Sequence, residues 1–289
     1  MSGWTLGPCL SRPRPVPELP EVETIRRQLA SEVIGRSWSE ITARPSRIFR
    51  TPAKEVAKEL RGAVIESVER RGKVIIIGFN GGQVLLVHLG MSGQVLLVPP
   101  AQCPGSHWHL EVMLDDGRLM VFRDPRRFGF YRLARKNEME GLKELSGVGP
   151  DPLGPVFTWE RFSSDIRELT GVVKPILLNQ LIFGGVGNIY SDEILYASRI
   201  MPTRGFETLS PIELKQLYHS VRTTLTASIE CGGTSFDDAF TDVYGRPGLY
   251  GSRLSVYGRE GEPCRRCSSI LKVARIGGRT SVYCPHCQK

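Results

Sequence analysis

Four cysteines near the end of the chain, Cys264, Cys267, Cys284 and Cys287, fall as two CxxC pairs with sixteen residues between them. Each pair bends the backbone into a tight knuckle that presents two sulfurs to one tetrahedral ion, and the interval suits a β-hairpin. Two disulfides would use the same residues only in an oxidising compartment. The spacing therefore predicts a zinc ribbon over residues 259–289, holding one Zn2+ through four cysteine ligands. Four thiolates leave no open coordination position, so the metal is expected to be structural.

The 289 residues allow two domains besides this module, and the formal charge of +8 points to a polyanionic partner. No apolar run approaches the length of a membrane-spanning helix, and residues 1–16 lack the unbroken apolar core of a secretory signal. A cytoplasmic protein with no membrane partner is expected. Cys9, Cys103 and Cys231 are scattered, and nothing in the chain demands a second subunit, so a monomer is expected.

The texture changes along the chain. Residues 19–34 suit an amphipathic helix, with Val22, Ile25 and Leu29 at helical spacing and Gly35 as a stop. From about 62 to 134 short β-rich runs follow one another, among them 74–77, 84–87, 95–98 and 119–122, with Asn80-Gly81-Gly82 and Asp115-Asp116-Gly117 as turns. This predicts a sandwich or barrel over residues 17–146. A Gly/Pro-rich linker at 147–155 precedes helical texture over 156–233. There Ser210-Pro211-Ile212-Glu213 makes a capping box, and Gly232-Gly233 ends the helix. Residues 234–258 read as loop. The expected fold class is thus α+β and multidomain.

The run Pro17-Glu18-Leu19-Pro20-Glu21 carries two readings. One is an ordinary turn that opens a helix. The other is a catalytic terminus: a proline with a free N-terminus is a secondary amine that can attack a sugar carbon and become an iminium, with Glu18 as the local acid. A terminal α-amine has a reference pKa of about 7.7–8.0 against about 10.4 for lysine, so more of it is neutral and nucleophilic near pH 7.

Other segments suit nucleic acid. The glycine-rich turn at 184–187 precedes a helix for which Asn188 is a candidate N-cap, and free N–H groups there would suit a phosphate, with Lys174 adding charge. Asp124-Pro125-Arg126-Arg127-Phe128-Gly129 joins two β-rich runs, where arginine beside an aromatic suits a wedge entering a base stack; Met91 offers a second apolar tip. Core packing is the competing reading for Phe128 and Met91. Lys73 is either a groove-facing cation or a strand-edge lysine. His107 and His109 straddle Trp108 and read as hydrogen-bonding groups rather than a metal site. Arg275 and Arg279 lie within the ribbon hairpin and are candidates for reaching a phosphate.

In order, PELPEVET at 17–24, RRGK at 70–73, HLGMSG at 88–93, DPRRFG at 124–129, GGVGNIYSDEILY at 184–196, VYGREGEPCRRC at 256–267 and GGRTSVYCPHCQ at 277–288 resemble the formamidopyrimidine-DNA glycosylase family. The resemblance runs from Pro17 to the end. It implies an N-terminal β-sandwich with a leading helix, a helix–two-turn–helix domain and a C-terminal zinc finger. It also implies a bacterial base-excision repair enzyme that removes 8-oxoguanine and formamidopyrimidines from damaged double-stranded DNA and then cuts the strand by β,δ-elimination. Carried over by position, Pro17 is the Schiff-base nucleophile, Glu18 the acid, Lys73 the residue of β-elimination and Arg279 that of δ-elimination. His107, Arg126, Lys174 and Asn188 match DNA contacts, and Met91, Arg126 and Phe128 match residues that fill the vacated base position. Residues 234–258 match the lesion-recognition loop.

The sequence departs from the family pattern at Trp108, where aspartate is common, and at 167–170, which lacks a basic residue before Lys174. It also carries residues 1–16, expected to be a misassigned start or a cleaved leader, since only their removal exposes Pro17. Two rival readings follow: an endonuclease VIII-like enzyme for oxidised pyrimidines, and a non-catalytic zinc DNA-binding protein should the extension stay attached.

Overall fold

The computed structural model describes residues 16–236 and 240–289. The expected leader lies outside them apart from Val16, as do three residues of the 234–258 region.

Helix α1 (Leu19–Val33) is followed by strand β1 (Trp38–Ala43), helix α2 (Ala53–Leu60) and strands β2 (Ile65–Arg71), β3 (Val74–Phe79), β4 (Gln83–His88) and β5 (Gln94–Val98). Strands β6 (Trp108–Leu114), β7 (Leu119–Arg123) and β8 (Phe130–Arg135) complete two four-stranded antiparallel sheets, ordered β1-β6-β7-β5 and β2-β3-β4-β8. Alternation along each strand sends one set of side chains between the sheets. Ile75, Ile77, Leu85, Val87, Val95, Leu97, Leu110, Val112 and Phe122 meet there, with Trp38 edge-on to Phe79 at 4.9 Å between ring centroids. Strand β3 is buried on both faces because Val74 and Ile76 pack outward under Leu142 and Leu145, at the short helix α3 (Lys143–Ser146).

The second lobe is helical: α4 (Trp159–Asp165), α5 (Val173–Leu178), α6 (Asn188–Ala197) and α7 (Pro211–Glu230). The capping box at the start of α7 forms as the sequence predicts, Ser210 N–H donating to Glu213 Oε2 at 2.8 Å and Glu213 N–H to Ser210 Oγ at 3.4 Å. Phe162, Leu177, Phe183, Ile194, Leu217, Val221 and Leu225 fill this core. Strands β9 (Lys272–Ile276) and β10 (Arg279–Tyr283) form the ribbon hairpin. Its turn, Gly277-Gly278, has both residues at positive φ, as a two-residue hairpin loop requires.

Helix α1 belongs to both lobes. Val22, Ile25 and Leu29 enter the sandwich core, whereas Leu19, one turn earlier, enters the helical core. The lobes therefore meet at its first turn, and that turn carries Pro17 and Glu18. The 240–246 segment crosses back in the same direction: Phe240 and Val243 are buried in the sandwich core, and Leu97 N–H donates to the Val243 carbonyl at 2.7 Å.

Candidate active site

Glu18 is buried at 3 % exposure, and its carboxylate sits on the N-terminus of α6. It accepts the backbone N–H of Gly187 at 2.7 Å, Ile189 at 2.8 Å and Tyr190 at 3.4 Å. These are donors that the first turn of any helix leaves without intrahelical partners, and the positive end of the helix dipole adds to the attraction. Gly187 is required at the contact, since a Cβ there would collide with the Glu18 carboxyl. Burial pushes the Glu18 carboxyl above the ordinary carboxylate range, with Lys73 and the three N–H groups drawing it back.

Two sequence expectations are corrected here. Asn188 is the first residue of α6 and Gly187 its N-cap, because Glu18 already occupies the cap. For the same reason the glycine-rich turn offers no empty ring of N–H groups to a phosphate. Asn188 is left lining the cleft, and its buried Oδ1 has no hydrogen-bond partner among the described residues.

The cleft has a volume of ≈ 770 Å³, and Glu18, Lys73, His88, Asn188, Tyr257 and Arg279 are on its wall. Lys73 is half-buried overall and forms no ion pair among the described residues. Burial of its amine end holds its pKa below the usual lysine value, against the pull of Glu18 and Glu21. His88 is pushed down to about 4 by burial and then by Lys73, so its ring is neutral near pH 7. Its Nδ1 accepts Gly90 N–H at 3.1 Å, which leaves the proton on Nε2.

Pro17 is buried beside the cleft with Glu21, Ile189, Thr234, Phe236 and Phe240 around it. In the chain as written its nitrogen is an amide to Val16. Behind it lies a buried network that sequence reasoning missed. Glu21 accepts Glu18 N–H at 2.9 Å, Thr234 N–H at 2.7 Å and the Tyr190 hydroxyl; Tyr190 also reaches Ser228 and Thr234. Burial, assisted by Glu18, pushes Glu21 up to about 7 against the Tyr190 hydrogen bond. The PELPE run hinted at α1, but the three distant partners leave no local sequence signal.

Arg126 and Phe128 are not on the cleft wall; they are exposed on the β7–β8 loop, with the guanidinium 5.0 Å from the ring centroid and Phe128 52 % exposed. Core packing is thereby ruled out for Phe128. Met91 is half-buried on the neighbouring 89–93 turn. His107 is exposed at φ +62°, whereas His109 is buried against the Asp124 carbonyl at 3.0 Å. Trp108 is 9 % exposed and lies under Arg44, 3.4 Å from guanidinium to ring centroid.

Lys174 departs from expectation. It is fully buried, with Nζ donating to Asp192 Oδ1 at 2.6 Å and to the Thr280 carbonyl at 2.9 Å. A lysine so engaged has no free donor surface for a phosphate. Asp192 also accepts Ser281 Oγ–H at 2.6 Å and Val282 N–H at 2.9 Å, so the pair fastens the strand that begins at Arg279 to α5 and α6.

The four cysteine sulfurs lie within 4.8 Å of one another, Cys264 to Cys287 at 3.9 Å and Cys267 to Cys284 at 3.5 Å. Tetrahedral zinc with Zn–S near 2.3 Å requires sulfurs about 3.8 Å apart, so the donor set fits. Backbone N–H groups of Arg266 and Cys287 point at Cys264 and Cys284 sulfurs, as expected for thiolates. Zinc here is structural.

A sandwich and a helical lobe thus share one helix, and a zinc finger carries an arginine into their common cleft. Family models for the formamidopyrimidine-DNA glycosylase N-terminal domain, the formamidopyrimidine-DNA glycosylase H2TH domain and the zinc finger found in FPG and IleRS match residues 16–131, 148–239 and 261–289. The chain is 38% identical over 275 residues to the formamidopyrimidine-DNA glycosylase of Pelotomaculum thermopropionicum, covering 95% of this chain and 99% of that protein. To the Corynebacterium jeikeium enzyme it is 37% identical over 290 residues, covering 95% and 100%. Among solved structures it is similar to a Lactococcus lactis FPG mutant in complex with Fapy-dG containing DNA (TM-score 0.86, 33% identity, 94% and 100% covered). It is also similar to the MutM (Fpg) protein of Thermus thermophilus (TM-score 0.81, 35% identity, 94% and 98% covered). The chain belongs to the formamidopyrimidine-DNA glycosylase family.

Proposed function

We propose that Pro17, with its nitrogen unblocked, is the nucleophile of a base-excision repair glycosylase that removes oxidised purines, 8-oxoguanine and formamidopyrimidines, and then cleaves the strand as an AP lyase. The observation that carries this reading is Glu18: a buried acid, adjacent in sequence to that amine, held on a helix N-terminus and facing the same cleft as Lys73 and Arg279.

The amine lone pair attacks C1′ of the damaged nucleotide. The bond from C1′ to the base breaks with its electron pair on the base, which takes up the proton released from the amine nitrogen. Opening of the sugar places the second electron pair on O4′, where Glu18 delivers its proton, and a C1′ iminium remains. That iminium acidifies C2′–H. Loss of this proton expels the 3′ phosphate, the step assigned to Lys73, whose lowered pKa suits proton transfer. A second elimination, assigned to Arg279, expels the 5′ phosphate. Met91, Arg126 and Phe128 occupy the gap when the nucleotide leaves the stack, offsetting part of a few kcal/mol of unstacking cost. His107 and Asn188 bind the backbone. Lys174 serves the same contact indirectly, by fastening the ribbon.

In domain terms, residues 17–146 form the catalytic lobe, 147–155 the linker, 156–233 the DNA-binding helical domain, 234–258 the lesion loop and 259–289 the zinc finger. The reading requires that segment 1–16, a misassigned start or a cleaved leader, be missing when Pro17 acts. The protein acts as a monomer on damaged duplex DNA in the bacterial cytoplasm, associated with the nucleoid through that DNA; among the described residues no helix is long and apolar enough to cross a membrane. The test is single-turnover excision from matched duplexes carrying 8-oxoguanine or thymine glycol, using protein that begins at Pro17. Faster release of 8-oxoguanine, with strands ending in phosphate on both sides of the gap, supports the reading. Preferential release of thymine glycol would move the enzyme to the pyrimidine-directed branch.

A further inference from the structure

Resting on the functional reading above, we propose that Arg275 is a second backbone-phosphate ligand of the zinc finger, gripping the bound strand together with Arg279.

Strand β9 pairs Arg275 directly with Thr280 of β10, and directly opposed residues present their side chains on one face. Thr280 lines the cleft, and so does Arg275. Arg279 pairs with Ile276, the next pair along the hairpin, so strand alternation sets it on the opposite face from Arg275; both arginines nonetheless line the cleft, together with Gly278 of the turn between them. The hairpin is fixed in this position. Lys174 holds the Thr280 carbonyl, Asp192 holds Ser281 and Val282, and a Cβ on Gly277 would press on Pro175 of α5.

Arg275 is exposed and has no ion pair among the described residues. Glu144, the other acid on the cleft wall besides Glu18, is already paired to Arg132 at 2.9 Å. An unpaired guanidinium over a cleft built for a polyanion, on a strand that is stapled in place, is a phosphate donor in waiting. Lys272 lies on the same strand, is exposed and is absent from the cleft wall, which makes it the internal control.

The experiment measures affinity for a duplex with one tetrahydrofuran abasic analogue across a salt series, with zinc content verified for every protein. Wild type, Arg275→Gln, Arg275→Lys and Lys272→Gln are compared. Arg275→Gln is expected to shallow the log–log salt slope by about 0.9, the value of one lost phosphate contact, while Lys272→Gln keeps the wild-type slope and Arg275→Lys restores it. An Arg275→Gln slope equal to wild type, or an equal loss in Lys272→Gln, overturns the proposal. A flat slope in the wild-type protein would instead overturn the DNA-binding reading on which it rests.

Discussion

The Glu18 carboxylate caps α6 through Gly187, at 2.7 Å, across 169 residues of sequence. One interaction thus holds the two lobes in register and aims the acid beside Pro17. Glu18→Gln replaces the acid by an amide whose NH2 cannot accept. Excision of 8-oxoguanine is expected to fall by about 10²-fold or more, the usual contribution of a general acid, and the protein to lose about 1–3 kcal/mol as helix donors go unpaired. Single-turnover assays and thermal melts check the two effects; wild-type excision by the variant would remove Glu18 from the chemistry.

Glu21 makes stability depend on pH. Its carboxyl stands at about 7 in the fold against an ordinary value of 4.5, because burial penalises the charged form. A raised carboxyl contributes stability that is complete below pH 4.5 and is lost as pH rises through 7, on the order of 3 kcal/mol at about 1.4 kcal/mol per pKa unit. Glu21→Gln removes that titration. The stability difference between wild type and variant should therefore shift in favour of the variant between pH 5 and 8, measured by denaturant melts; a pH-independent difference would contradict it.

Lys174 and Asp192 are a fully buried pair, at 0% and 1% side-chain exposure. Asp192→Ala strands the lysine charge and is expected to cost about 3–5 kcal/mol, whereas Lys174→Met with Asp192→Leu should cost far less. Equilibrium unfolding of the two variants gives the comparison. Equal losses would mean that the hydrogen bonds to Ser281 and Val282, rather than the paired charges, do the fastening.

Phe128 has half its surface in solvent, so Phe128→Ala should change stability by no more than about 0.5 kcal/mol. Excision from a stacked duplex should nonetheless fall about tenfold, corresponding to about 1.4 kcal/mol of lost help with base extrusion. Strand cleavage at a ready-made abasic site should suffer less. An equal loss on both substrates would point to backbone binding instead.

What could be read from the sequence was local. The two CxxC knuckles, the Ser210 capping box and the apolar runs of β3, β4, β5 and β7 announce themselves within a few residues. Strand β1 went unread because Trp38 is its one fully buried residue, with Ile41 and Ala43 only partly covered against the core and Ser39, Glu40 and Thr42 exposed. Asn188 reads as an N-cap until Glu18 arrives from the other end of the chain, and Lys174 reads as a free cation until Asp192 and Thr280 enclose it. Glu21 shows the same limit. Its partners Tyr190 and Thr234 lie 169 and 213 residues away, a distance that no periodicity crosses.

Borohydride reduction tests the Pro17 amine most directly, since it converts a protein–sugar iminium into a permanent link that can be counted on a gel. With an abasic duplex, protein that begins at Pro17 is expected to be trapped, and protein that keeps residues 1–16 is not, because an amide nitrogen forms no iminium. Equal trapping of the two forms would contradict the role given to Pro17 and require a different nucleophile.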